Sequence, residues 1–335
     1  MAIATIRKPY LVFLGNAADI AECKTGIGVK EWAEADCVGQ WRNATHITLG
    51  LPDMGPDEAF SAGARSLLIG VSPVGGAIEQ TWIPFLLTAL EAGLDLVSGL
   101  HVRLEDTAVI AEAAKQHGRR LHNVRHADRS FEIATGRKRS GKRVIMVGTD
   151  CALGKKYTAL AIARRLQERS VDATFRATGQ TGIMIAGDGI AIDAVVADFV
   201  AGAAEALSPD ASPHHWDVIE GQGALWHPAY AGVTLGLLHG SQPDALVLCH
   251  DPRRSVTNWY PDYPLPSVPD AIAGYLPLAR RTNPAARFVG ISLNTHGMNE
   301  RDASAAAHAL APLGLPVCDP LRFGLDALLD ELLTI

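Results

Sequence analysis

The segment at residues 144–166, VIMVGTDCALGKKYTALAIARRL, carries residue types that can bind phosphate. Gly154 and Lys155 follow an apolar run and precede a helical pattern. In loops of this kind backbone N–H groups surround an anion, the lysine pairs with phosphate oxygens, and a hydroxyl after the lysine holds Mg²⁺. Here Thr149 stands in the position of the leading glycine and Lys156 in that of the hydroxyl. The segment therefore predicts a phosphate site that differs from an ATP-hydrolysing loop at its metal ligand.

The lysine at position 156 bears on which phosphate compound fits this loop. Without the hydroxyl the loop loses a Mg²⁺ ligand, while a second ammonium supplies part of the positive charge that the metal would bring. Metal-assisted phosphoryl transfer would then need another residue to hold Mg²⁺, such as Thr158, Asp150 or Glu220. A pyrophosphate inside a carrier such as coenzyme A fits the loop at least as well as ATP does. The predicted phosphate-binding residues lie in the loop and at the start of its helix: Thr149, Asp150, Cys151, Gly154, Lys155, Lys156 and Tyr157.

Apolar runs that end in glycine alternate with helical patterns before this segment, as in YLVFLG and LDLVSG. Continuous apolar strands indicate a parallel sheet that is covered on both faces. No G-x-G-x-x-G follows the first predicted strand, so a nicotinamide cofactor is not indicated. After the loop, strands are predicted at ATFRAT, HWDVIEG, ALVLCH and FVGISLN. The fold class is therefore α/β, with an N-terminal Rossmann-like parallel-sheet domain and a C-terminal P-loop NTPase-like domain.

A polar, basic and glycine-containing stretch at residues 126–143 separates the two halves. Such a stretch is typical of a solvent-facing linker, and recruitment of phosphate is the alternative. Its cations include Arg137, Lys138, Arg139, Lys142 and Arg143. The predicted domains are residues 1–138, the Rossmann-like domain, and residues 139–335, the P-loop-containing catalytic domain.

The composition favours a small-molecule partner. The net charge is −6, and no extended basic surface is indicated that would bind nucleic acid or an anionic membrane. The five cysteines are scattered without a C-x-x-C pair, which favours reduced thiols in a cytoplasm. The apolar run near the N-terminus is too short for a signal peptide or a membrane span. Because 48% of the residues are hydrophobic, a surface for self-association is expected, and the protein is predicted to form a homo-oligomer.

Two segments of the second half resemble dethiobiotin synthetase and its P-loop relatives: GTDCALGK, which contains Lys155, and HWDVIEGQGAL at residues 215–225. Over nearly its whole length the chain also resembles the D-glutamate N-acetyltransferase family. This was formerly a domain-of-unknown-function family with an N-terminal Rossmann-like and a C-terminal P-loop domain. The segments that carry this resemblance include KPYLVFLG, GTDCALGKKYTALA, FRATGQTGIMIAGDG, HWDVIEGQGALWHPAYAG and VGISLNT.

The resemblance implies an acyltransferase that moves acetyl from acetyl-CoA to the amine of an acidic D-amino acid, with D-glutamate as the expected substrate. The phosphate in the loop would then belong to CoA, and no tightly bound metal is expected. The alternative is an ATP- and Mg²⁺-dependent ligase or kinase of the dethiobiotin-synthetase type. A third alternative is a regulator that binds nucleotide without turnover.

Acetyl transfer to an amine needs a base for the amine, donors for the developing oxyanion and a proton for the leaving thiolate. Glu220 is the favoured base, because DVIEGQG places it where a strand leaves the sheet beside the loop. His250 is the second candidate and His227 the third. Because His227 and His239 lie in apolar runs, a hydrogen-bonded packing role is the alternative for both. The alternative for Glu220 is a role as a partner of Lys155.

The segment FRATGQTG is predicted to be a polar loop that follows a strand. Arg176 is the candidate for clamping a substrate carboxylate, and an ion pair that holds the loop is the alternative. Thr178, Gln180 and Thr181 could present donors to the thioester or to the amino acid.

Cys151 lies at a predicted helix N-terminus, where thiol pKa values fall, so an acetylated cysteine is a conceivable route. A role as a small loop residue is the favoured interpretation. His215 and Asp217 could suggest metal ligation together with His214, but adjacent residues of a strand point to opposite faces. The sequence therefore predicts no structural metal.

Overall fold

The computed structural model describes residues 5–73, 76–126 and 130–335. The chain forms two compact units. One consists of Met1–Asp128 and Gly179–Ala194, and the other of Arg129–Thr178 and Val195–Ile335. The predicted division at residue 138 stays a prediction, and the predicted linker includes residues 127–129, which lie outside the described residues. Across the described ranges, every helix is too short or too polar to span a bilayer.

A parallel sheet lies at the centre of the first unit. Its strands are β1 (Tyr10–Gly15), β2 (Cys37–Arg42), β3 (Ser66–Ile69), β4 (Asp95–Ser98) and β5 (Leu121–Asn123). The accompanying helices are α1 (Lys24–Trp32), α2 (Pro56–Ser61), α3 (Ile83–Glu91) and α4 (Ala108–His117). In the described part the strand order is β2-β1-β3-β4-β5, with all pairs parallel. Every residue of β1 is buried, which explains its continuous apolar run.

A second parallel sheet lies at the centre of the other unit. Its strands and the adjoining hairpin are β6 (Lys142–Gly148), β7 (Ala173–Arg176), β8 (Trp216–Ile219), β9 (Ala245–His250), β10 (Val256–Thr257), β11 (Tyr260–Pro264), β12 (Arg287–Leu293) and β13 (Val317–Cys318). The remaining helices of the chain are α5 (Lys155–Glu168), α6 (Gln180–Ala186), α7 (Val200–Leu207), α8 (Ala231–Ser241), α9 (Val268–Arg280), α10 (Glu300–Leu310) and α11 (Asp326–Leu332). The described strands of the sheet lie in the order β13-β12-β9-β6-β8-β7, and β10 and β11 pair antiparallel. The predicted α/β fold class is confirmed.

Parallel pairing brings the ends of three strands of the second sheet together. β6 lies between β8 and β9 in parallel register. The loop after Gly148, the residue Glu220 after β8 and the residue Asp251 after β9 therefore leave the sheet at the same edge, here called the carboxyl edge. Ligands of parallel α/β sheets bind outside this edge.

Helix α6 belongs to the first unit, although segments of the second unit precede and follow it in the chain. The hydroxyl of Tyr10 donates a hydrogen bond to the carbonyl of Met184 at 2.8 Å. The ammonium of Lys8 donates to the carbonyl of Ile185. These bonds tie α6 to the residues at the start of β1.

Two cations of the predicted linker are buried, so the expectation of a wholly solvent-facing stretch is wrong for them. Arg139 is 7% exposed and Arg143 is 0% exposed. The guanidinium of Arg143 donates to the carbonyls of Ser208 and Pro209. It also lies 3.9 Å from the carboxylate of Asp217. These two arginines therefore fasten the start of the second unit to its interior.

Replacing Arg143 with methionine is expected to lower the free energy of unfolding by about 3 kcal/mol, because buried carbonyls and a buried carboxylate lose a charged partner. Denaturant unfolding followed by circular dichroism measures this change. The Arg137 side chain in the same linker is 77% exposed, so Arg137→Met is a matched control that should unfold like the wild type. Equal unfolding midpoints for the wild type and Arg143→Met would contradict the structural role.

Candidate active site

The predicted phosphate loop connects β6 to α5 at the carboxyl edge. Helix α5 begins at Lys155, and among the described side chains none caps its N-terminus. Gly154 has a φ of +100°, a left-handed value that glycine adopts without strain. The first N–H groups of an uncapped helix supply donors and partial positive charge for an anion. The loop therefore fits a phosphate group.

The loop lysine is folded into this site. Lys155 is 6% exposed, and its Nζ donates to the carbonyl of Asp150 at 2.8 Å. Burial lowers the pKa of this ammonium. An ammonium has three donors, so the bond to Asp150 leaves capacity for a ligand. Lys156 is half-buried, with its Nζ 4.9 Å from the centroid of the Tyr157 ring.

The three groups that could supply a Mg²⁺ ligand already bond to protein groups. The hydroxyl of Thr158 lies 2.8 Å from that of Ser292. The carboxylate of Asp150 accepts from the backbone N–H of Cys151 and is 0% exposed. The carboxylate of Glu220 accepts from the backbone N–H of Thr178 at 2.9 Å. Each therefore already has a protein partner, and a metal would have to share that oxygen or displace the partner.

Two residues that the sequence analysis did not single out hold the loop. Arg254 donates to the carboxylate of Asp150 at 3.2 Å and to the carbonyls of Cys151 and Ala152 at 2.8 and 2.9 Å. The backbone N–H of Asn258, which lies between β10 and β11, donates to the same carboxylate at 2.8 Å. The sequence signal that could have found Arg254 is the charged run DPRR directly after β9, at the carboxyl edge.

Glu220 lies beside the loop, as its position after β8 predicts. It is 4% exposed, and the hydroxyl of Thr178 donates to its backbone carbonyl at 2.8 Å. A Cβ on Gly221 would lie 1.6 Å from the carbonyl oxygen of Met146 and 3.0 Å from Cδ of Lys155. A side chain at position 221 would therefore force the segment of Glu220 away from the loop lysine. The base role of Glu220 stays a prediction.

The two candidate histidines also lie next to the loop. Nδ1 of His250 lies 3.0 Å from the hydroxyl of Thr149. Burial lowers the pKa of His250, which favours the neutral imidazole that a base requires, although the nearby Asp251 opposes this shift. His227 is 1% exposed, and its ring stacks on that of Tyr230 at a centroid distance of 4.5 Å. The catalytic roles of both histidines stay predictions.

The predicted substrate-binding residues are divided between the two units. Arg176 and Thr178 belong to the second unit, while Gln180 and Thr181 belong to the first. The guanidinium of Arg176 donates through Nε to the buried carboxylate of Asp217. An ion pair of this kind was the alternative for Arg176, and no other described residue is seen to occupy its two Nη groups. Gln180 and Thr181 form the first turn of α6, so the prediction of a loop is wrong for them.

One group of side chains has the composition of a metal site. Ligand atoms of Asp150, Cys151 and His227 all lie within 4.8 Å of one another, and all three residues are buried. Burial raises the pKa of the Cys151 thiol, whereas a metal would need the thiolate. Lys155 and Arg254 also bring positive charge to this position. The expected lack of a tightly bound metal stays a prediction.

Family models match both parts of the chain. The domain of unknown function described as the DUF1611_C P-loop domain matches residues 132–329. The domain of unknown function described as the DUF1611_N Rossmann-like domain matches residues 35–127. These matches correspond to the two domain types that the sequence predicts.

Two curated relatives match along nearly the whole chain. A protein of Tritonibacter scottomollicae named D-glutamate N-acetyltransferase is 48% identical over 332 residues, which cover 98% of this chain and 100% of the relative. A protein of Pseudoalteromonas sp. with the same name is 42% identical over 329 residues, which cover 98% of this chain and 99% of the relative. The predicted family resemblance and the predicted acyltransferase class are confirmed.

A solved structure agrees with these relatives. The crystal structure of a DUF1611 family protein from Anabaena variabilis has a TM-score of 0.86 and 34% identity, and the match covers 98% of this chain and 100% of that one. The matched domain models, the curated relatives and this structure show that the chain belongs to the DUF1611 family.

Proposed function

We propose that the protein transfers acetyl from acetyl-CoA to the amine of an acidic D-amino acid, with D-glutamate as the first substrate to test, and that the loop holds a CoA phosphate. The name of the two relatives supports an N-acetyltransferase role. One observation supports CoA over Mg²⁺-ATP. Thr158, Asp150 and Glu220, the groups that could replace the lost metal ligand, are all engaged with protein partners.

The residues at the carboxyl edge suit the steps of acetyl transfer. Glu220 or His250 takes a proton from the substrate ammonium, so that the nitrogen can attack the acetyl carbon. A C–N bond forms, the C–S bond breaks, and the second proton that the nitrogen loses passes to the leaving thiolate. The Nη groups of Arg176 bind the substrate carboxylate, because a guanidinium matches a carboxylate in geometry and charge. Thr178, Gln180 and Thr181 remain candidate donors to the substrates.

Calorimetric titration with acetyl-CoA and with ATP, each with and without Mg²⁺, tests this proposal. We expect acetyl-CoA to bind equally well in both conditions. Formation of N-acetylglutamate from D-glutamate and from L-glutamate should then be compared by mass spectrometry and chiral separation. Binding of ATP that needs Mg²⁺, with no response to acetyl-CoA, would favour the ligase or kinase alternative.

Replacing Lys156 with threonine restores the hydroxyl of an ATP-hydrolysing loop. We expect acetyl transfer by this variant to remain independent of Mg²⁺, because one added hydroxyl does not free the other candidate ligands from their partners. Initial rates with Mg²⁺ and with EDTA measure this, and the wild type assayed in the same buffers is the control. A rate that falls in EDTA only for Lys156→Thr would show that the position decides metal use.

A homo-oligomer in the cytoplasm is also part of the proposal. Exposed apolar side chains support self-association: Trp259 is 69% exposed and Tyr263 is 50% exposed on the β10–β11 hairpin. Light scattering of the purified protein determines the number of chains.

A further inference from the structure

His227 carries a buried hydrogen-bond donor for which the described part of the chain provides no acceptor. Its Nδ1 accepts from the backbone N–H of Ala229 at 3.2 Å, so the ring proton of the neutral histidine is assigned to Nε2. Nε2 is buried and has no hydrogen-bond partner among the described residues. An unpaired buried donor is costly, which is why most such groups in folded proteins are satisfied. Within the described ranges nothing supplies that partner, so a bound molecule is the candidate.

The ring is held in its orientation. Tyr230 stacks on it at an interplanar angle of 27°, and the ring of Tyr260 meets it at 81° with centroids 5.1 Å apart. Together with the bond from Ala229, these contacts fix the direction in which Nε2 points. A donor that is held in place before the ligand arrives loses little conformational freedom on binding.

The ring lies beside the first residues of the phosphate loop. A ring nitrogen of His227, Sγ of Cys151 and a carboxylate oxygen of Asp150 lie within 4.8 Å of one another. The carboxylate of Asp150 is already occupied, since it accepts from Cys151, Arg254 and Asn258. A phosphate bound in the loop, where Lys155 and the start of α5 favour an anion, would supply the missing acceptor.

We infer that His227 is a phosphate-binding residue, whose Nε2–H donates to a phosphate oxygen held in the loop. The residue thereby supplies, without a metal, one of the contacts that Mg²⁺ makes to phosphate in ATP-hydrolysing loops. The identity of the phosphate carrier as acetyl-CoA rests on the proposed function, but the phosphate contact does not. Inorganic pyrophosphate is therefore a sufficient probe.

Titration of the wild type, His227→Phe and His227→Gln with inorganic pyrophosphate and with CoA tests this role. We expect His227→Phe to weaken both affinities about tenfold to a hundredfold, as the loss of one hydrogen bond to a charged group implies. Glutamine keeps an N–H donor and should recover part of the loss. His227→Phe should lose more kcat/KM with acetyl-CoA than with S-acetylpantetheine, a thioester that lacks phosphate.

The melting temperature separates ligand binding from packing. Without ligand, His227→Phe should melt at or above the wild-type temperature, because it removes an unpaired buried donor and Ala229 is exposed enough to bond to water. His239→Phe is the matched control. Nε2 of His239 is also buried without a partner among the described residues, but this residue lies near the end of α8, towards the start of β9 and away from the carboxyl edge. His239→Phe should leave pyrophosphate affinity unchanged.

Several outcomes would overturn the inference. One is wild-type pyrophosphate affinity in His227→Phe, and another is no binding of pyrophosphate or CoA by the wild type. If His227→Phe lost kcat/KM equally with acetyl-CoA and with S-acetylpantetheine, His227 would instead be assigned to the chemical step. If the wild type bound pyrophosphate only with one equivalent of metal, and His227→Phe no longer bound that metal, the residue would be a metal ligand. If binding depends on His227 but no amino acid is acetylated, the inference holds and the proposed function fails.

Discussion

Replacing Lys155 with methionine is expected to weaken CoA binding by about a hundredfold or more, because the ammonium makes charge-assisted hydrogen bonds to phosphate that methionine cannot make. Methionine has a similar length, so it fills the same buried space. Titration calorimetry measures the loss. Lys142→Met is the matched control, since Lys142 begins β6 at the opposite edge of the sheet. Unchanged CoA affinity in Lys155→Met would remove the loop from the binding site.

The same variant should show a characteristic dependence of stability on pH. Burial holds the pKa of Lys155 in the folded protein below its value in the unfolded chain. Between these two pKa values the unfolded state binds more protons, so the contribution of this residue to stability rises with pH. Lys155→Met lacks that contribution. We therefore expect the variant to be more stable than the wild type at neutral pH without ligand, and the difference to shrink as pH approaches about 10.4.

Replacing Glu220 with glutamine is expected to lower kcat by about a hundredfold to ten-thousandfold, the range that general-base catalysis contributes. The amide oxygen of glutamine can still accept the bond from the backbone N–H of Thr178, so the surrounding segment should keep its conformation. The affinity for acetyl-CoA should change little. Steady-state kinetics with the amino acid as varied substrate, together with calorimetry for acetyl-CoA, separates the two effects.

Controls decide between chemistry and positioning at this residue. Glu168→Gln replaces an exposed carboxylate on α5 that pairs with Arg165, and it should leave kcat unchanged. A Glu220→Gln enzyme with wild-type kcat would eliminate Glu220 as the base and make His250, the second candidate, the next residue to test. A loss of acetyl-CoA affinity as large as the loss in kcat would instead assign Glu220 to positioning of Lys155.

The sequence was sufficient to predict those parts of the candidate site whose residues lie close together in the chain. The strand, the loop and the start of α5 follow one another directly, and the glycine and lysine of the motif specify their geometry. Glu220 could be placed because a residue that ends a parallel strand must lie at the carboxyl edge. Neither argument depends on knowing the strand order.

Contacts that depend on the strand order could not be predicted. Arg254 reaches Asp150 because β9 pairs with β6, and the roughly one hundred residues between them contain no signal of this pairing. Arg143 was expected in solvent because charged stretches usually face solvent. Its burial left no signal, since its partners at Ser208 and Pro209 are carbonyls, which any residue type supplies. The orphaned Nε2 of His227 is likewise a feature of packing and not of residue type.

Because α6 belongs to the first unit, folding of that unit during synthesis depends on residues that are added late. Synthesis proceeds from the N-terminus, and domains generally fold as their sequences emerge from the ribosome. The carbonyls of Met184 and Ile185, which Tyr10 and Lys8 require, emerge only after β6, the loop and α5 of the second unit. The first unit is therefore completed on the ribosome only when part of the second has already been synthesised. A fragment that stops before Gly179 lacks α6, so the Tyr10 hydroxyl loses its acceptor and Lys8 keeps only its pair with Asp36 among these contacts.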